Sequence, residues 1–446
     1  MQEIEQLHCR NTFELILAED LTHKERRSAL ESLIFLKEKK DGTIKGRACA
    51  DGRKQRFADV YEKGASASPT VSIESVLITA VIDALEERDV AVVDIPNAFV
   101  QTKMDDEKVI MKMRGKLVDL MCAIAPEVYT KYVTIENGVK VLYLRLLNAL
   151  YGTLKAALLF YQKLVRDLEA KGFELNPYDL CVANKIINNK QMTLTWHVDD
   201  MKISHVETQE VTMMIDFLRK KYASDGVGEM TISCGKKHDY LGMILDYSTK
   251  GEVHIDMQEY VKKMIEEFPD KIEKTATTPA SNFLFKVNEE AEILSNKMKE
   301  DFHTFVAKGL FLCKRARPDI QTTIAFLTTR VQKPDVDDWK KLKRLIMYLK
   351  GTEDFVLKLR ADNTRLLKWH VDASYAVHND LRSHTGGNFT MGKGTIYGKS
   401  SKQKLNVKSS TEAELVGVDD CMPQILWTNY FIGAQGYETR GTIGYQ

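Results

Sequence analysis

The sequence predicts an α+β chain on three observations. Hairpin signals occur at Asp41-Gly42 and Asn137-Gly138. Short apolar runs, of which Val90-Ala91-Val92-Val93 is the clearest, have the length of buried strands. Between such runs lie segments with helical apolar spacing, among them Ile73 to Leu85 and Ala149 to Leu168.

Taken in order, residues 1–36 carry helical signals, including the run from Ala29 to Leu36, and predict a helical extension over 1–28. Lys39-Lys40-Asp41-Gly42-Thr43 reads as a hairpin turn. Val90 to Val93 reads as a strand ending on Asp94, and Val141-Leu142-Tyr143-Leu144 as a strand after the Asn137-Gly138 turn. Met192 to Ser204 looks like two strands interrupted by Asp199-Asp200. From Asp270 to Asn296 the chain turns polar around Thr278-Pro279 and reads as a linker. Residues 300–350 form a helical block in which Pro334-Asp335-Val336-Asp337-Asp338 caps the start of Trp339 to Lys350. A β-rich unit begins at Leu366. The expected divisions are 1–28, 29–275, 276–362 and 363–446.

Composition narrows the function. The 446 residues are 44% apolar and 28% charged, ordinary for a globular protein. No run approaches the ~18 apolar residues of a membrane span, and the acidic Met1-Gln2-Glu3-Ile4-Glu5 is not a signal peptide. The seven cysteines are scattered with no C-x-x-C pair, so neither a disulfide framework nor a zinc finger is expected, and a reducing compartment fits. Net charge is +1, but the cations are uneven. Lys37 to Arg56 holds eight Lys/Arg against three acids, and no acid occurs between Asp380 and Glu412. Either stretch could follow a phosphate backbone or be a solvated loop.

Asp-Asp pairs stand at 105–106, 199–200, 337–338 and 419–420. The first reads as a polar loop, the third as a helix start, and the fourth as following a helix. Only Asp199-Asp200 has strand-like sequence on both sides. Two like charges about 4 Å apart at an effective dielectric near 20 repel by roughly 4 kcal/mol. A divalent cation would remove that cost, with Asp94 a third oxygen ligand, as two-metal phosphoryl transfer requires. An exposed acidic turn is the alternative.

Six segments, in order, carry a resemblance. They are Lys45-Gly46-Arg47-Ala48-Cys49-Ala50-Asp51-Gly52, Val93-Asp94-Ile95-Pro96-Asn97-Ala98-Phe99, Ala149-Leu150-Tyr151-Gly152, His197-Val198-Asp199-Asp200, Tyr240-Leu241-Gly242-Met243 and Ser409-Ser410-Thr411-Glu412-Ala413-Glu414. Together the chain resembles the reverse transcriptase and ribonuclease H region of a copia-type long-terminal-repeat retrotransposon. The resemblance implies a right-hand polymerase of fingers, palm and thumb over 29–275, a helical connection over 276–362, and a partial ribonuclease H-like α/β unit over 363–446. It implies RNA-directed DNA synthesis on an RNA template from a DNA primer, using dNTPs and two Mg²⁺ ions, with Mn²⁺ a possible substitute. It also implies other parts of a Pol polyprotein as partners, a cytoplasmic virus-like particle as location, and no membrane.

Residue by residue, the resemblance makes Asp94, Asp199 and Asp200 the metal-holding carboxylates. Phe99 becomes an aromatic gate against the ribose 2′-hydroxyl, with an ordinary core aromatic as the bland reading. Lys45 and Arg47 would contact the triphosphate, since Arg offers phosphate a planar fork. Leu150 to Lys163 would back the template base pair, and Leu241-Gly242 resembles a primer-grip turn. Two departures stand out. Gly152-Thr153-Leu154-Lys155-Ala156-Ala157 lacks the family's Gln and Pro, and His197 replaces its Tyr.

Asp372 and Glu414 resemble the first two of four acidic ligands in the ribonuclease H fold. The sequence reaches Gln446 where the third is expected, so this reading predicts a truncated unit without hybrid-RNA cleavage. An alternative for the whole chain is a decayed element copy that binds nucleic acid without catalysis.

Overall fold

In the computed structural model, residues 2–38, 42, 44–53, 55, 67–104, 108–223 and 228–445 are described, without the side chains of Gln2, Glu3, Lys37 and Lys45. Asp105-Asp106 and most of the Asp41-Gly42 turn lie outside them.

Leu30–Glu38 pairs antiparallel with Ile44–Ala50, as the Asp-Gly signal predicts. The helical reading of Ala29 to Leu36 is therefore incorrect. A short apolar run does not distinguish strand from helix; here a partner strand a few residues on satisfies its backbone. The two strands belong to a six-stranded sheet with Ile110–Arg114, Val139–Leu146, Thr134–Glu136 and Phe13–Ile16. Phe13–Ile16 pairs with Val139–Leu146, so the first 28 residues contribute a strand as well as helices. Asn137 and Gly138 take φ of 50° and 76°, the left-handed pair that a two-residue hairpin turn needs.

The second sheet positions the site. Its order is Thr231–Gly235, Asp89–Asp94, Asp200–His205, Lys190–His197, Asp179–Ile187 and Glu174–Asn176, antiparallel throughout. Val90 to Val93 are buried at its centre, as their composition predicts. The helices Ile73–Leu85, Ala156–Ala170 and Thr208–Tyr222 share a core with it. Ile73–Leu85 has the predicted bounds, yet Ser75 to Ala84 are all buried, so it is covered on every side rather than amphipathic. The helix expected from Ala149 begins only at Ala156, because the preceding backbone is committed elsewhere: Ala149 N–H bonds Thr102 and Tyr151 carbonyl accepts from Ala50 N–H.

Beneath this sheet lies a buried ionic network. Lys202 and Asp83 form an ion pair with both side chains fully buried, and Arg88 lies 3.7 Å from Asp83. Arg88 also donates to Thr193 at 2.9 Å. Asp83 is the carboxylate that faces both cations, and Arg88 pairs with Glu86 as well, at 2.9 Å. Asp83→Ala is expected to destabilise the fold by about 3–5 kcal/mol, because it strands the Lys202 charge in the core; urea unfolding with a loss within about 1 kcal/mol of wild type would contradict this.

The polar segment before Asn296 has no long element, as expected of a linker, though Ile272, Leu284 and Leu294 are buried. The helical block holds Asn296–Cys313, Gln321–Thr328 and Val336–Lys350. Asp335 and Asp338 form the capping box of the last. A third sheet then joins Lys237–Tyr240, Met243–Asp246 and Val253–Asp256 to Leu357–Ala361 and Gly392–Lys393, tying early chain to late.

The C-terminal unit has the sheet order Tyr397–Lys402, His384–Thr390, Leu366–Ser374, Gly441–Tyr445, the last pair parallel. Its helix Ser410–Ala434 runs through Asp419-Asp420, which are thus inside a helix and not after one. The unit docks on the second sheet: Trp427 donates to Tyr178 carbonyl at 3.0 Å, Asn176 to Phe431 carbonyl at 3.1 Å, and Arg88 to Tyr437 hydroxyl at 2.9 Å. Three of the six cations in the acid-free stretch pair with acids, and a fourth donates to a backbone carbonyl. Arg382 and Lys402 pair with Asp380, Lys393 pairs with Glu252, and Lys399 donates to Asp420 carbonyl. In Lys37 to Arg56, Arg53 pairs with Asp51.

Candidate active site

The sheet register brings the predicted carboxylates together. Asp200 is the direct cross-strand partner of Asp94, so both side chains leave the same face at adjoining strand ends. Asp199 sits in the turn before Asp200, and its carbonyl accepts from Ile95 N–H at 3.0 Å. The turn is not the Asp-Asp pair that the sequence suggests. His197 pairs with Asp200, leaving Val198 and Asp199 as the two loop residues. Val198 has φ of 61°, a conformation that costs a β-branched residue on the order of 1–3 kcal/mol and persists only where the surroundings impose it.

Like charges directly opposite across a strand pair are unfavourable. Burial, then Asp199, Asp94 and Asp239, push the Asp200 carboxyl up to about 6. Asp239, on Lys237–Tyr240, is a fourth acid that sequence reasoning missed. It immediately precedes the Tyr240-Leu241-Gly242-Met243 segment without belonging to it, and only the sheet-to-sheet arrangement brings its charge to bear. Among the described residues no three carboxylate, imidazole or thiolate groups converge into a ready-made ion cage. The register and the mutual electrostatic effect nonetheless concentrate negative charge at one point, and like charges do not close on one another unaided. An all-oxygen, strongly anionic donor set of this kind fits a hard divalent cation.

The raised Asp200 pKa has a stability consequence. Because the folded value lies above the ordinary aspartate value of 3.8, the folded state binds the extra proton between about 4 and 6 and loses stability as pH rises through that window. Asp200→Asn is expected to raise the metal-free melting temperature by roughly 2 °C or more above pH 6, with the gain vanishing near pH 4. A gain that persists unchanged at pH 4 would show that charge is not its cause.

The residues expected on the nucleotide side form a stack. Arg47, exposed on Ile44–Ala50, has its guanidinium carbon 4.4 Å from the Tyr151 ring centre. Tyr151 in turn lies 4.5 Å from the half-buried Phe99 ring, and Phe99 lies 6.4 Å from Phe160. Tyr151 is the link that the motif contained without disclosing. Gly152 explains itself here: a Cβ on it would stand 2.0 Å from Ala50 carbonyl oxygen, so only glycine permits this backbone approach. Lys45 lies two residues before Arg47 on the same strand, with its side chain outside the described set.

In the C-terminal unit, the Ser410–Ala434 helix packs Gly417 toward Val371 and Ala373. Asp372, between them, projects from the opposite face and is exposed. Glu414 lies in the first turns of the helix, half-buried, with Oε2 buried and without a hydrogen-bond partner.

The central antiparallel sheet with its packed helices is a polymerase-type fold. A solved foamy viral protease-reverse transcriptase, in complex with double-stranded DNA, superposes with a TM-score of 0.53 at 12% identity, over 94% of this chain and 58% of that one. Residues 20–282, more than half of the chain, match the family Reverse transcriptase (RNA-dependent DNA polymerase), and the chain belongs to that family. Among curated proteins it is similar to the retrovirus-related Pol polyprotein from transposon TNT 1-94 of Nicotiana tabacum, 24% identical over all of this chain and 32% of that protein. A putative transposon Ty5-1 protein of Saccharomyces cerevisiae is 25% identical over 63% of this chain and 89% of its own length. The Pol polyprotein from transposon RE2 of Arabidopsis thaliana is 25% identical over 87% of this chain and 25% of that protein. The chain thus spans about a third or less of the two Pol polyproteins. Among the described residues no helix is long and apolar enough to cross a membrane.

Proposed function

We propose that this chain catalyses RNA-templated DNA synthesis, adding dNTPs to a DNA primer, with Asp94, Asp199 and Asp200 holding two Mg²⁺ or Mn²⁺ ions. The observation that carries the reading is the pairing of Asp200 opposite Asp94 beside the Asp199 turn, with Asp200 driven to a pKa of about 6. When bound, such ions lower the pKa of the primer 3′-hydroxyl and neutralise the triphosphate. The residues of the chain supply the rest. Asp94 and Asp200 would provide oxygen ligands from adjoining strand ends, and Asp199 from the turn between strands. Arg47 offers phosphate a fork while its other face rests on Tyr151, and Lys45 adds charge from the same strand. Phe99, backed by Tyr151 and Phe160, bounds the sugar.

The test is primer extension on poly-rA with an oligo-dT primer in Mg²⁺. Binding without extension would instead support the non-catalytic copy. We further propose that the polypeptide works beside other parts of a Pol polyprotein in a cytoplasmic particle. Asp372 and Glu414 resemble ribonuclease H acids, but Asp372 faces away from the helix that carries Glu414, and cleavage of an RNA–DNA hybrid by them is not expected. Mg²⁺-dependent cleavage abolished by Asp372→Asn would overturn that.

A further inference from the structure

Leu241-Gly242 forms the turn between Lys237–Tyr240 and Met243–Asp246, with φ of 52° and 78°. The sign suits a two-residue hairpin. Leucine is nevertheless strained there, and such a conformation survives only where its neighbours over-determine it. Two sets of contacts do so.

On one side, Tyr240 is 1% exposed and donates from Oη to Thr195 carbonyl at 3.0 Å. Thr195 lies on Lys190–His197, the strand that leads into the Asp199 turn. On the other side stands Arg315, just beyond the Asn296–Cys313 helix. Its Nε donates to Leu241 carbonyl at 3.3 Å and its Nη1 to Phe311 carbonyl at 3.2 Å. The guanidinium carbon lies 3.6 Å from the centre of the Phe311 ring. Gly242 rests on that ring as well, since a Cβ there would be 3.1 Å from Phe311 Cζ. The Tyr260 ring, 5.3 Å from Phe311, backs the stack.

Arg315 is poorly explained as filler. It is half-buried, and burial draws its pKa below the ordinary value with no carboxylate among the causes that oppose this. A neutral side chain would fill the space without desolvating a charge. What arginine adds is a planar fork that lies flat on a ring while directing two N–H groups at fixed acceptors.

We propose that Arg315 is a positioning residue for DNA synthesis: it clamps the Leu241-Gly242 turn between the Asn296–Cys313 helix and the strand leading to Asp199, so that the turn backbone meets the primer in one geometry. This rests on the polymerase reading above.

The test uses the full chain with Arg315→Met and Arg315→Lys. Hydrogen exchange of the 236–247 segment reads the clamp, and is expected to quicken about tenfold in Arg315→Met. Steady-state extension reads the positioning: kcat is expected to fall about tenfold, with KM for dTTP within about twofold and melting temperature within about 2 °C of wild type. Arg315→Lys, which keeps charge and loses the fork, is expected to resemble Arg315→Met. Unchanged exchange would overturn the clamp. Faster exchange with unchanged kcat, or full rescue by lysine, would overturn the positioning role. If the unaltered chain extends no primer, the polymerase reading fails and the positioning role with it, while exchange still reports separately on the clamp.

Discussion

Asp199→Asn is expected to reduce primer extension on poly-rA by on the order of a thousandfold or more. A unit negative charge about 4 Å from a dication contributes roughly 8 kcal/mol at an effective dielectric of 20. Losing even half of that in the transition state is about three decades of rate. The substitution keeps the side-chain shape, and the Asp199 backbone contact to Ile95 N–H does not involve the carboxylate. Folding and primer–template binding should therefore persist. A variant that still extends the primer within about tenfold of wild type would remove Asp199 from the chemistry. A wild-type chain that binds the primer–template and never extends it would point to a decayed copy.

Phe99→Val is expected to shift the choice between dTTP and UTP toward the ribonucleotide by about 10–100-fold in the ratio of kcat/KM values. The ring stands against Tyr151 and Phe160 and so cannot yield to an added hydroxyl without disturbing both. Valine shortens the wall and leaves the Arg47–Tyr151 stack in place, so extension with dTTP should fall far less than discrimination does. Should the ratio stay where it is in the wild type, Phe99 is a core aromatic and no gate. The two variants are independent, because one concerns charge at the strand ends and the other the shape of the sugar pocket.

Much of the local structure was legible. Asn137-Gly138, the buried run Val90 to Val93 and the Asp335–Asp338 cap each depend on residues close in sequence, and each formed where expected. Leu30 to Leu36 was misread because an apolar run of that length serves either a strand or a helix, and the choice belonged to its pairing with Ile44–Ala50. The basic stretch after Asp380 looked free for phosphate, but Asp380 at its edge pairs with Arg382 and Lys402, and Glu252, far away in sequence, pairs with Lys393. Asp239 had no signature, since its effect on Asp200 runs between strands of different sheets.

The same division holds for the site. The sequence by itself determined which residues are the candidates for the chemistry: the acids at 94, 199 and 200, the aromatic at 99 and the cation at 47 stand in ordered motifs, and donor type is a property of each residue alone. The tertiary structure decided what those residues do to one another. It set Asp200 opposite Asp94, made Val198 and not Asp200 the second loop residue with Asp199, inserted Tyr151 between Arg47 and Phe99, and braced Leu241 with Arg315. Electrostatic repulsion, ring stacking and clamping all depend on distance through space, and residues 50 to 150 positions apart acquire such distances only when the sheets close.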